Sequence, residues 1–483
     1  MSPYLVLGII LGYFFVLMFI SWLTSRNANS DTFFTANRKS PWYLVAFGMV
    51  GATLSGVTFI SVPGEVGNSA FAYLQFVFGN LVGYWLIAGI LLPLYYKLNL
   101  ISIYTFLEQR FGKYSYKTGS FFFLISKLTG AAFRLYLVAG VLQIAFFDAF
   151  NIPFVITVVV TIFLIWIYTF RGGIKTIVWT DTLQTLFLVS AVVFTIIAIS
   201  QKMEWNFGQL FNEVAESSRA KIFIWDWRSG NNFFKQFLAG IFTTIAVNGL
   251  DQDMMQKNLT CKNKGEAQKN MVVFSLSFLT TVVLFLSLGV ILYSFAENMG
   301  ISIPEKTDDF YPLLALNYLG LPVGIAFLLG ITAATYSCAD SALTAMTTSF
   351  SVDFLNIGRY KEQKKQKIKK RSHLLFSLLL IVTILLFRAI NDESIVVAVF
   401  RVAGYTYGPI LGLFIFGMYS KRNVNDIWVP VIGFLAPVIC YFLSRYSEVL
   451  FNGYRFGFEL LILNGLITMI GLFFISKKYV VKN

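Results

Sequence analysis

The sequence predicts an all-α polytopic membrane protein with about 13 transmembrane helices. Three observations support this class. Of the 483 residues, 57% are hydrophobic and only 13% are charged, whereas a soluble protein of this length would be near 25% charged. Apolar runs of about 20 residues, long enough to cross a bilayer core of roughly 30 Å, recur along the whole chain. Glycine and proline interrupt two of these runs at matched places.

The apolar runs define the predicted spans. The first run, Tyr4 to Leu23, has neither a basic n-region nor a small-residue cleavage site, so we expect a retained helix and not a signal peptide. The ninth predicted span holds more residues than one crossing needs. In chain order the predicted spans are 3–24, 41–64, 71–96, 119–147, 152–170, 178–200, 232–252, 271–296, 311–352, 372–390, 394–419, 426–445 and 456–476.

The net charge of +14 follows the predicted loops. When the connections are numbered in order, the odd ones and the C-terminal tail hold most of the lysines and arginines, which indicates that they are cytoplasmic. We therefore expect a multi-pass protein of the cell (inner or plasma) membrane, with its N-terminus outside and its C-terminus in the cytoplasm. The basic run Arg359–Arg371 should contact anionic lipid headgroups. This pattern favours a topology signal over nucleic-acid binding.

Cysteine, histidine and motif content exclude several classes. Cys261, Cys338 and Cys440 form no CxxC motif, and the single histidine, His373, cannot build a metal site. No Walker loop follows a strand, so the sequence offers no nucleotide-binding motif for ATP-driven transport. We expect no cofactor, no nucleic-acid partner and no obligate protein partner.

Two predicted spans are interrupted, and their positions are informative. The second span reads MVGATLSGVTFISVPGEVG and is interrupted at Gly51, Ser55-Gly56 and Pro63-Gly64; the seventh reads IFTTIAVNGLDQD and is interrupted at Asn248-Gly249. Five spans counted from each interruption cover spans two to six and seven to eleven. This pattern is typical of inverted-repeat secondary transporters, whose broken helices expose backbone groups to ions and substrate. The alternative is that Gly and Pro are simply frequent in membrane helices.

This count divides the chain into five parts. The external loop contains Trp205, Trp225 and Trp227, which read as interfacial anchors or as a short amphipathic helix, with a substrate lid as the alternative. The predicted parts are an N-terminal peripheral helix and loop (1–40), a first inverted repeat (41–200), an external loop (201–231), a second inverted repeat (232–419) and two C-terminal peripheral helices (420–483).

A hydroxyl-rich segment, TYSCADSALTAMTTSFSVDF, lies inside the ninth span. Its polar residues Ser337, Asp340, Ser341 and Thr344 are three and four positions apart, which places them on one helix face. An aspartate in lipid costs about 2.5–3.5 kcal/mol even on a lenient insertion scale. We therefore expect this face to point inward, towards water or a cation, because hard cations prefer oxygen ligands.

Five segments in register resemble the sodium:solute symporter family. The resemblance implies a LeuT-like five-plus-five inverted-repeat core and sodium-coupled uptake. The segments are the interrupted second span as its first core helix, RGGIKTIVWTDTLQ (Arg171–Gln184) as the start of its fifth, DQDMMQKNLTCKNKGEAQKN (Asp251–Asn270) as the loop after its sixth, SCADS (Ser337–Ser341) on its eighth and GYTYGPILGLF (Gly404–Phe414) on its tenth.

The same resemblance implies where sodium binds. One ion lies between the first and eighth core helices in this family, and its ligands fall on Gly51, Leu54, Ala334, Ser337 and Cys338. At the last position the family usually has Ser or Thr, and a thiol is a poor sodium ligand. A second sodium site, present in some members, would use Asp181, Ser337, Asp340 and Ser341. Alternatively, Asp181 caps a helix N-terminus, and Asp340 pairs with a lysine or arginine.

The substrate should lie beside the first interruption, between spans two, three, four, seven and eleven. Arg134, mid-span on the third core helix, could bind an anionic substrate or pair with Asp340, Asp253 or a carbonyl. Sugar carriers of the family have Gln and Glu where this chain has Thr58 and Val77, and the sialic-acid type has its arginine about a turn earlier, near Gly130. The candidates are Ser55, Thr58, Phe59, Gln75, Arg134, Thr244, Asn248 and Tyr405.

These features predict a symporter, not an enzyme. It would import a small polar solute, anionic if Arg134 binds it, together with sodium by alternating access. One alternative function is a proton-coupled or sodium-independent transporter of the same fold. Cys338, Asp181 and Asp340 favour this alternative. Another rival is a transporter-like membrane sensor acting with a separate partner.

Overall fold

A computed structural model describes residues 3–26, 30–390, 395–454, 456–457 and 459–478. Most of them are helical. The helices are α1 Pro3–Ser25, α2 Ser30–Thr35, α3 Trp42–Thr53, α4 Gly56–Ser69, α5 Tyr73–Leu86, α6 Leu92–Lys97, α7 Thr105–Arg110, α8 Lys113–Ala145, α9 Phe154–Gly172, α10 Ile174–Lys202, α11 Phe207–Glu216, α12 Phe233–Thr244, α13 Gln252–Asn258, α14 Lys264–Asn298, α15 Phe310–Asn317, α16 Leu321–Ser349, α17 Glu362–Ile390, α18 Ile395–Tyr419, α19 Val429–Arg445, α20 Ser447–Leu450 and α21 Leu460–Phe474.

Short irregular turns extend or join several helices. π-helical turns at Ile87–Leu91, Ile245–Gly249 and Phe350–Phe354 follow α5, α12 and α16. Two short strands, β1 Arg422–Val424 and β2 Ser476–Lys478, pair antiparallel. This pairing ties the end of α21 to the loop between α18 and α19.

The helices confirm an all-α, multi-pass membrane protein. Among the described residues, 9 helices are long and apolar enough to cross a membrane, or up to 11 if each bent pair counts as one span. Two shorter apolar helices, Phe154–Phe170 and Leu460–Phe474, would have to cross as well to reach the predicted thirteen. That count stays a prediction, as do the five predicted parts of the chain, whose ends include residues outside the described ranges.

The second predicted span is bent at Leu54 and Ser55. The helix axes on its two sides differ by 58°. Leu54 leaves the helical region with φ −80° and ψ 86°, and Ser55 is extended and accepts a hydrogen bond from the Thr58 amide at 3.5 Å. The Ser55 amide donates to the Thr53 carbonyl at 3.1 Å. The helix that ends at Thr53 therefore does not continue its regular ladder into α4.

The seventh predicted span is bent by 72° between Phe233–Gly249 and Gln252–Asn258. Asp251 lies at the bend and caps α13 by accepting hydrogen bonds from the amides of Asp253 (2.8 Å) and Met254 (3.4 Å). The polar cap by Asp251 lies within a largely apolar segment and stabilises the start of α13 at this bend. The predicted interruption at Asn248-Gly249 is therefore confirmed to within two residues.

Two other expected interruptions are wrong. α3 continues through Gly51, and α4 continues through Pro63-Gly64 to Ser69. Proline in a membrane helix is tolerated where neighbouring groups satisfy the freed backbone. Next to this proline, the Tyr293 hydroxyl of α14 donates to the Gly64 carbonyl at 2.7 Å and ties α4 to α14.

The ninth predicted span, 311–352, is not one helix. α15 ends at Asn317, and α16 begins at Leu321 after Gly320, whose φ is +88°. Gly320 is the N-cap residue of α16, and its positive φ, which glycine adopts at no steric cost, separates the two helices. The long hydroxyl-rich helix is therefore α16 alone.

Glycines allow close packing around the site. A Cβ added at Gly48 would lie 3.0 Å from the Cβ of Asp181 on α10, and one at Gly51 would collide with Thr185. The small-xxx-small pair Gly79 and Gly83 on α5, which predicts close helix packing, lies directly against α12. These contacts hold α3 against α10 and α5 against α12 around the interior.

The external-loop segment contains α11, whose N-terminus has a capping box formed by Asn206 and Gln209. Phe207 and Phe211 on this helix are 83% and 65% exposed. An exposed apolar face on a short polar helix agrees with the amphipathic-helix reading of this loop.

Candidate functional site

A cavity of about 400 Å³ lies between the two bent helices. α4, α5, α8, α12 and α14 contribute to its wall, and the described residues of α18 do not. Five of the predicted substrate candidates line it: Ser55, Thr58, Arg134, Thr244 and Asn248. The bends supply this wall because they turn polar side chains of α4 and of the segment after α12 towards one space.

The structure does not bring the other three candidates to the cavity wall. Phe59 packs against the rings of Phe285, Tyr311 and Phe327 at centroid distances of 5.8, 5.4 and 5.5 Å. Tyr405 packs against Tyr441 of α19, with the ring centroids 6.2 Å apart and the ring planes tilted by 56°.

Gln75 is engaged with the external loop. Its Nε2 donates to the Asn231 carbonyl at 2.9 Å, and its Oε1 accepts from the Ile224 amide at 3.1 Å. The side chain is fully buried. These bonds give Gln75 a role in fastening the loop to α5.

Arg134 projects from α8 into the cavity. Its Nη1 donates to the Sγ of Cys338 at 3.1 Å. Within the described ranges no carboxylate comes within 4.0 Å of the guanidinium. The expected partners Asp340 and Asp253 are thus not its partners, and Cys338 is the hydrogen-bond acceptor that the described residues give it.

Of the residues predicted for the second sodium site, the serines Ser337 and Ser341 contact Asp181. Its Oδ1 accepts from the Ser337 hydroxyl at 2.6 Å, and its Oδ2 lies 3.5 Å from the Ser341 hydroxyl and 2.8 Å from the Nζ of Lys257. α10 begins at Ile174, so Asp181 lies two turns inside the helix. The helix-cap alternative for Asp181 is therefore wrong.

Asp340 lies on the same face of α16 and is fully buried. Its Oδ2 accepts a hydrogen bond from the Tyr168 hydroxyl at 2.7 Å. Its Oδ1 and the hydroxyl of Thr344, one turn on, have no hydrogen-bond partner among the described residues. The inward orientation expected for this face agrees with these contacts.

The residues of the predicted first sodium site lie where α3 ends beside α16. Gly51, Leu54, Ala334 and Ser337 are buried, and the Gly51 amide donates to the Thr185 hydroxyl at 3.0 Å. The bend at Leu54 interrupts the helical ladder there, which is where backbone carbonyls become available to an ion. Cys338, the fifth position, is occupied by its contact with Arg134.

A group of buried charges around Lys127, which lines the cavity, was not predicted from the sequence. Lys127 of α8 pairs with Asp251 at 3.3 Å and with Asp253 at 2.7 Å. Tyr407 of α18 donates to Asp251 as well. The signal was present in DQDMMQK, where charges directly follow a break in an apolar run.

The opposite end of the cavity reaches the loop before α15. Thr307, Asp308 and Asn231 line it there. The hydroxyl of Ser61 on α4 donates to Asp308 at 2.6 Å. This end lies beside connections that the charge pattern predicts to be external.

Comparison with known proteins gives consistent matches over most of the chain. The model of the sodium:solute symporter family matches residues 33–426. The sodium/sialic acid symporter NanT of Aliivibrio fischeri is 25% identical over 428 residues, which are 86% of this chain and 83% of NanT. The sodium/sialic acid symporter SiaT of Proteus mirabilis is 25% identical over 474 residues, 93% of this chain and 91% of SiaT.

A solved structure shows the same fold. It is the substrate-bound outward-open state of a Na⁺-coupled sialic acid symporter, with a TM-score of 0.82 and 19% identity over 98% of this chain and 99% of that one. This likeness confirms the predicted LeuT-like fold.

Proposed function

The chain belongs to the sodium:solute symporter family, and we propose that it is a sodium-coupled symporter that imports a small anionic organic solute by alternating access. The family and its relatives are transporters, so this protein is a transporter and not an enzyme. The full-length match to sodium/sialic acid symporters supports sodium coupling and an acidic solute.

The observation that carries the choice of solute is the position of Arg134. Its guanidinium lines the cavity and its one described hydrogen bond goes to a sulfur. A buried arginine is costly in a membrane protein unless it is paired, and its planar fork matches a carboxylate. Lys127, the other basic residue of the wall, is already paired with Asp251 and Asp253. A carboxylate solute is therefore the partner that Arg134 lacks.

Polar groups around Arg134 suit the rest of such a solute. Ser55, Thr58, Thr244 and Asn248 present hydroxyls and an amide to the same cavity. Its volume of about 400 Å³ suits a small organic molecule.

Sodium binds at the first position, between α3 and α16. The carbonyls of Gly51, Leu54 and Ala334 and the hydroxyl of Ser337 are hard oxygen donors, which fit this cation. The Cys338 thiol is a poor ligand and adds little. Ions at a broken helix order its two halves, and the ordered bend presents Ser55 and Thr58 to the solute. Sodium and solute must then raise each other's affinity by the same factor.

The cavity and the charge pattern support import as the direction of transport. The cavity meets the loops predicted to be external, while the ion pairs of Lys127 close the opposite end. The N-terminus is outside and the C-terminus cytoplasmic, with the Arg359–Arg371 run at the inner lipid surface. Rocking of the repeats breaks the inner pairs and releases solute and sodium inside.

Thermal unfolding of the purified protein tests this function. Melts are recorded in sodium chloride and in choline chloride at equal ionic strength, with and without N-acetylneuraminate and a panel of smaller carboxylates. A ligand at 100 times its dissociation constant stabilises by about 2.7 kcal/mol. We expect sodium to stabilise by itself and a carboxylate to stabilise further only when sodium is present.

Arg134→Gln should keep the sodium effect and lose the carboxylate effect. The matched control is Arg228→Gln, the same change at an exposed arginine of the external loop, which should keep both. A carboxylate effect that survives Arg134→Gln would contradict the proposed role of Arg134.

A second candidate function is a proton-coupled or sodium-independent transporter of the same fold. The contact between Arg134 and Cys338 favours it, since a cation already lies beside a sodium-ligand position. Equal melts in sodium and choline, together with uptake driven by a pH gradient, would support this candidate and contradict sodium coupling.

A further inference from the structure

Asp181 has a positive partner supplied by the chain itself. The Nζ of Lys257 lies 2.8 Å from the Oδ2 of Asp181, and both side chains are 1% exposed. The Ser337 hydroxyl donates to the other carboxylate oxygen at 2.6 Å. The ammonium of Lys257 thus lies at the carboxylate around which a second ion would have to bind.

α13 holds Lys257 in this position. This short helix follows the 72° bend, and all of its residues are buried. Gln256, the neighbour of Lys257, donates to the Phe34 carbonyl at 2.7 Å and to the Thr348 hydroxyl at 3.0 Å. These bonds fasten α13 against α16 and α2, so that Lys257 can reach α10.

Lys257 has no better partner within the described chain. Asp253, one turn earlier on α13, lies 3.9 Å from its Nζ. Asp253 is already paired with Lys127 at the shorter distance of 2.7 Å. The charges therefore divide into two groups, Lys127 with Asp251 and Asp253, and Lys257 with Asp181.

We propose that the ammonium of Lys257 occupies the cation position at Asp181, so that each transport cycle carries one sodium ion, bound at the first position, and not two. This inference rests on the proposed sodium coupling and refines its stoichiometry. A sodium ion at Asp181 would have to displace Lys257 and leave its buried ammonium with only Asp253, which lies 3.9 Å away and is already paired with Lys127. Such a poorly compensated buried charge is destabilising, so the tethered cation excludes the free one.

Counting bound ions tests the proposal without knowledge of the solute. Radioactive sodium is titrated into the purified protein in detergent, and saturation is expressed as ions per chain. We expect one ion in the wild type and in Lys257→Arg, which keeps the positive charge. Lys257→Gln frees Asp181 with its serines and should bind two. Lys257→Gln combined with Asp181→Asn removes both charges and should return to one.

Several outcomes would overturn the proposal. Two ions in the wild type, or one ion in folded Lys257→Gln, would show that the ammonium does not hold the second position. If Lys257→Gln fails to fold, adding Asp181→Asn should restore folding, because no charge is then left unpaired; failure of that rescue contradicts the pair. No sodium bound to the wild type would instead contradict the sodium coupling on which the inference rests.

Discussion

The guanidinium of Arg134 lies 3.1 Å from the sulfur of Cys338. This contact joins the proposed solute position to the proposed sodium position, because Arg134 lines the cavity and Cys338 is a sodium-ligand position in the family pattern. A change at Cys338 should therefore reach the sodium position directly and the Arg134 position through this contact.

Cys338→Ser should tighten sodium binding. A hydroxyl replaces a soft sulfur with a hard oxygen donor and can still accept the hydrogen bond from Arg134. One added polar contact is worth about 1 kcal/mol, or about fivefold in affinity. A sodium titration of thermal unfolding measures the effect. Cys440→Ser, the same change at a buried cysteine of α19, should leave sodium affinity unchanged; an equal shift in both variants would contradict the prediction.

Tyr168→Phe should lower stability by about 1–3 kcal/mol. The Tyr168 hydroxyl is the hydrogen-bond donor to the Oδ2 of Asp340 at 2.7 Å, and both residues are buried. Its removal takes away the hydrogen-bond donor of a fully buried oxygen, which carries the desolvation cost of that group. Thermal or denaturant unfolding measures it. Tyr441→Phe, at a tyrosine with 46% exposure, is the control, and equal stability of the two variants would count against the interpretation.

Gly79→Ala should destabilise the packing of α5 on α12. A Cβ at Gly79 would collide with the Phe237 carbonyl and lie 3.0 Å from the Cα of Gly240. Overpacking of this kind costs about 1–3 kcal/mol. Gly140→Ala on α8, where a Cβ meets nothing within 4 Å, should be neutral or stabilising through helix propensity. An equal decrease in the melting temperatures of both variants would contradict this account.

Cys261 should resist alkylation in the folded protein. It lies in the connection between α13 and α14, is fully buried, and burial raises the pKa of its thiol to about 12. Compared with an unburied thiol, about a thousandfold less thiolate is present near pH 7. The test uses a Cys338→Ala, Cys440→Ala background. At pH 7, N-ethylmaleimide should label Cys261 only after the protein has been unfolded in detergent. Labelling should rise with pH, because more of the thiol is then thiolate. Rapid labelling of the native protein at pH 7 would rule this out.

Some site residues could be recognised in the chain because their pattern is local. The spacing of Ser337, Asp340 and Ser341 defines a helix face in any context, and the cost of an aspartate in lipid turns that face inward. The break at Leu54 and Ser55 likewise follows from glycine and serine within an apolar run. Local geometry and the bilayer as solvent suffice for such features.

Other residues could not be assigned in this way because their roles depend on long-range contacts. Phe59, Gln75 and Tyr405 lie near the broken helices in sequence or in the family pattern, but packing turns them to an aromatic cluster, the external loop and α19. Which side of a helix meets the cavity depends on how neighbouring helices tilt and rotate.

By itself, the sequence determined that the protein is an all-α membrane transporter with two broken helices and an inward polar face on α16. Hydropathy, residue spacing and the family pattern are properties of the chain in one dimension. Only the tertiary structure decided that Lys257 pairs with Asp181 and Arg134 with Cys338, across 76 and 204 residues of sequence. A buried charge is stabilised only by a partner within a few ångströms, because the interior is a low-dielectric environment. Residues this far apart in sequence come that close only when the helices pack.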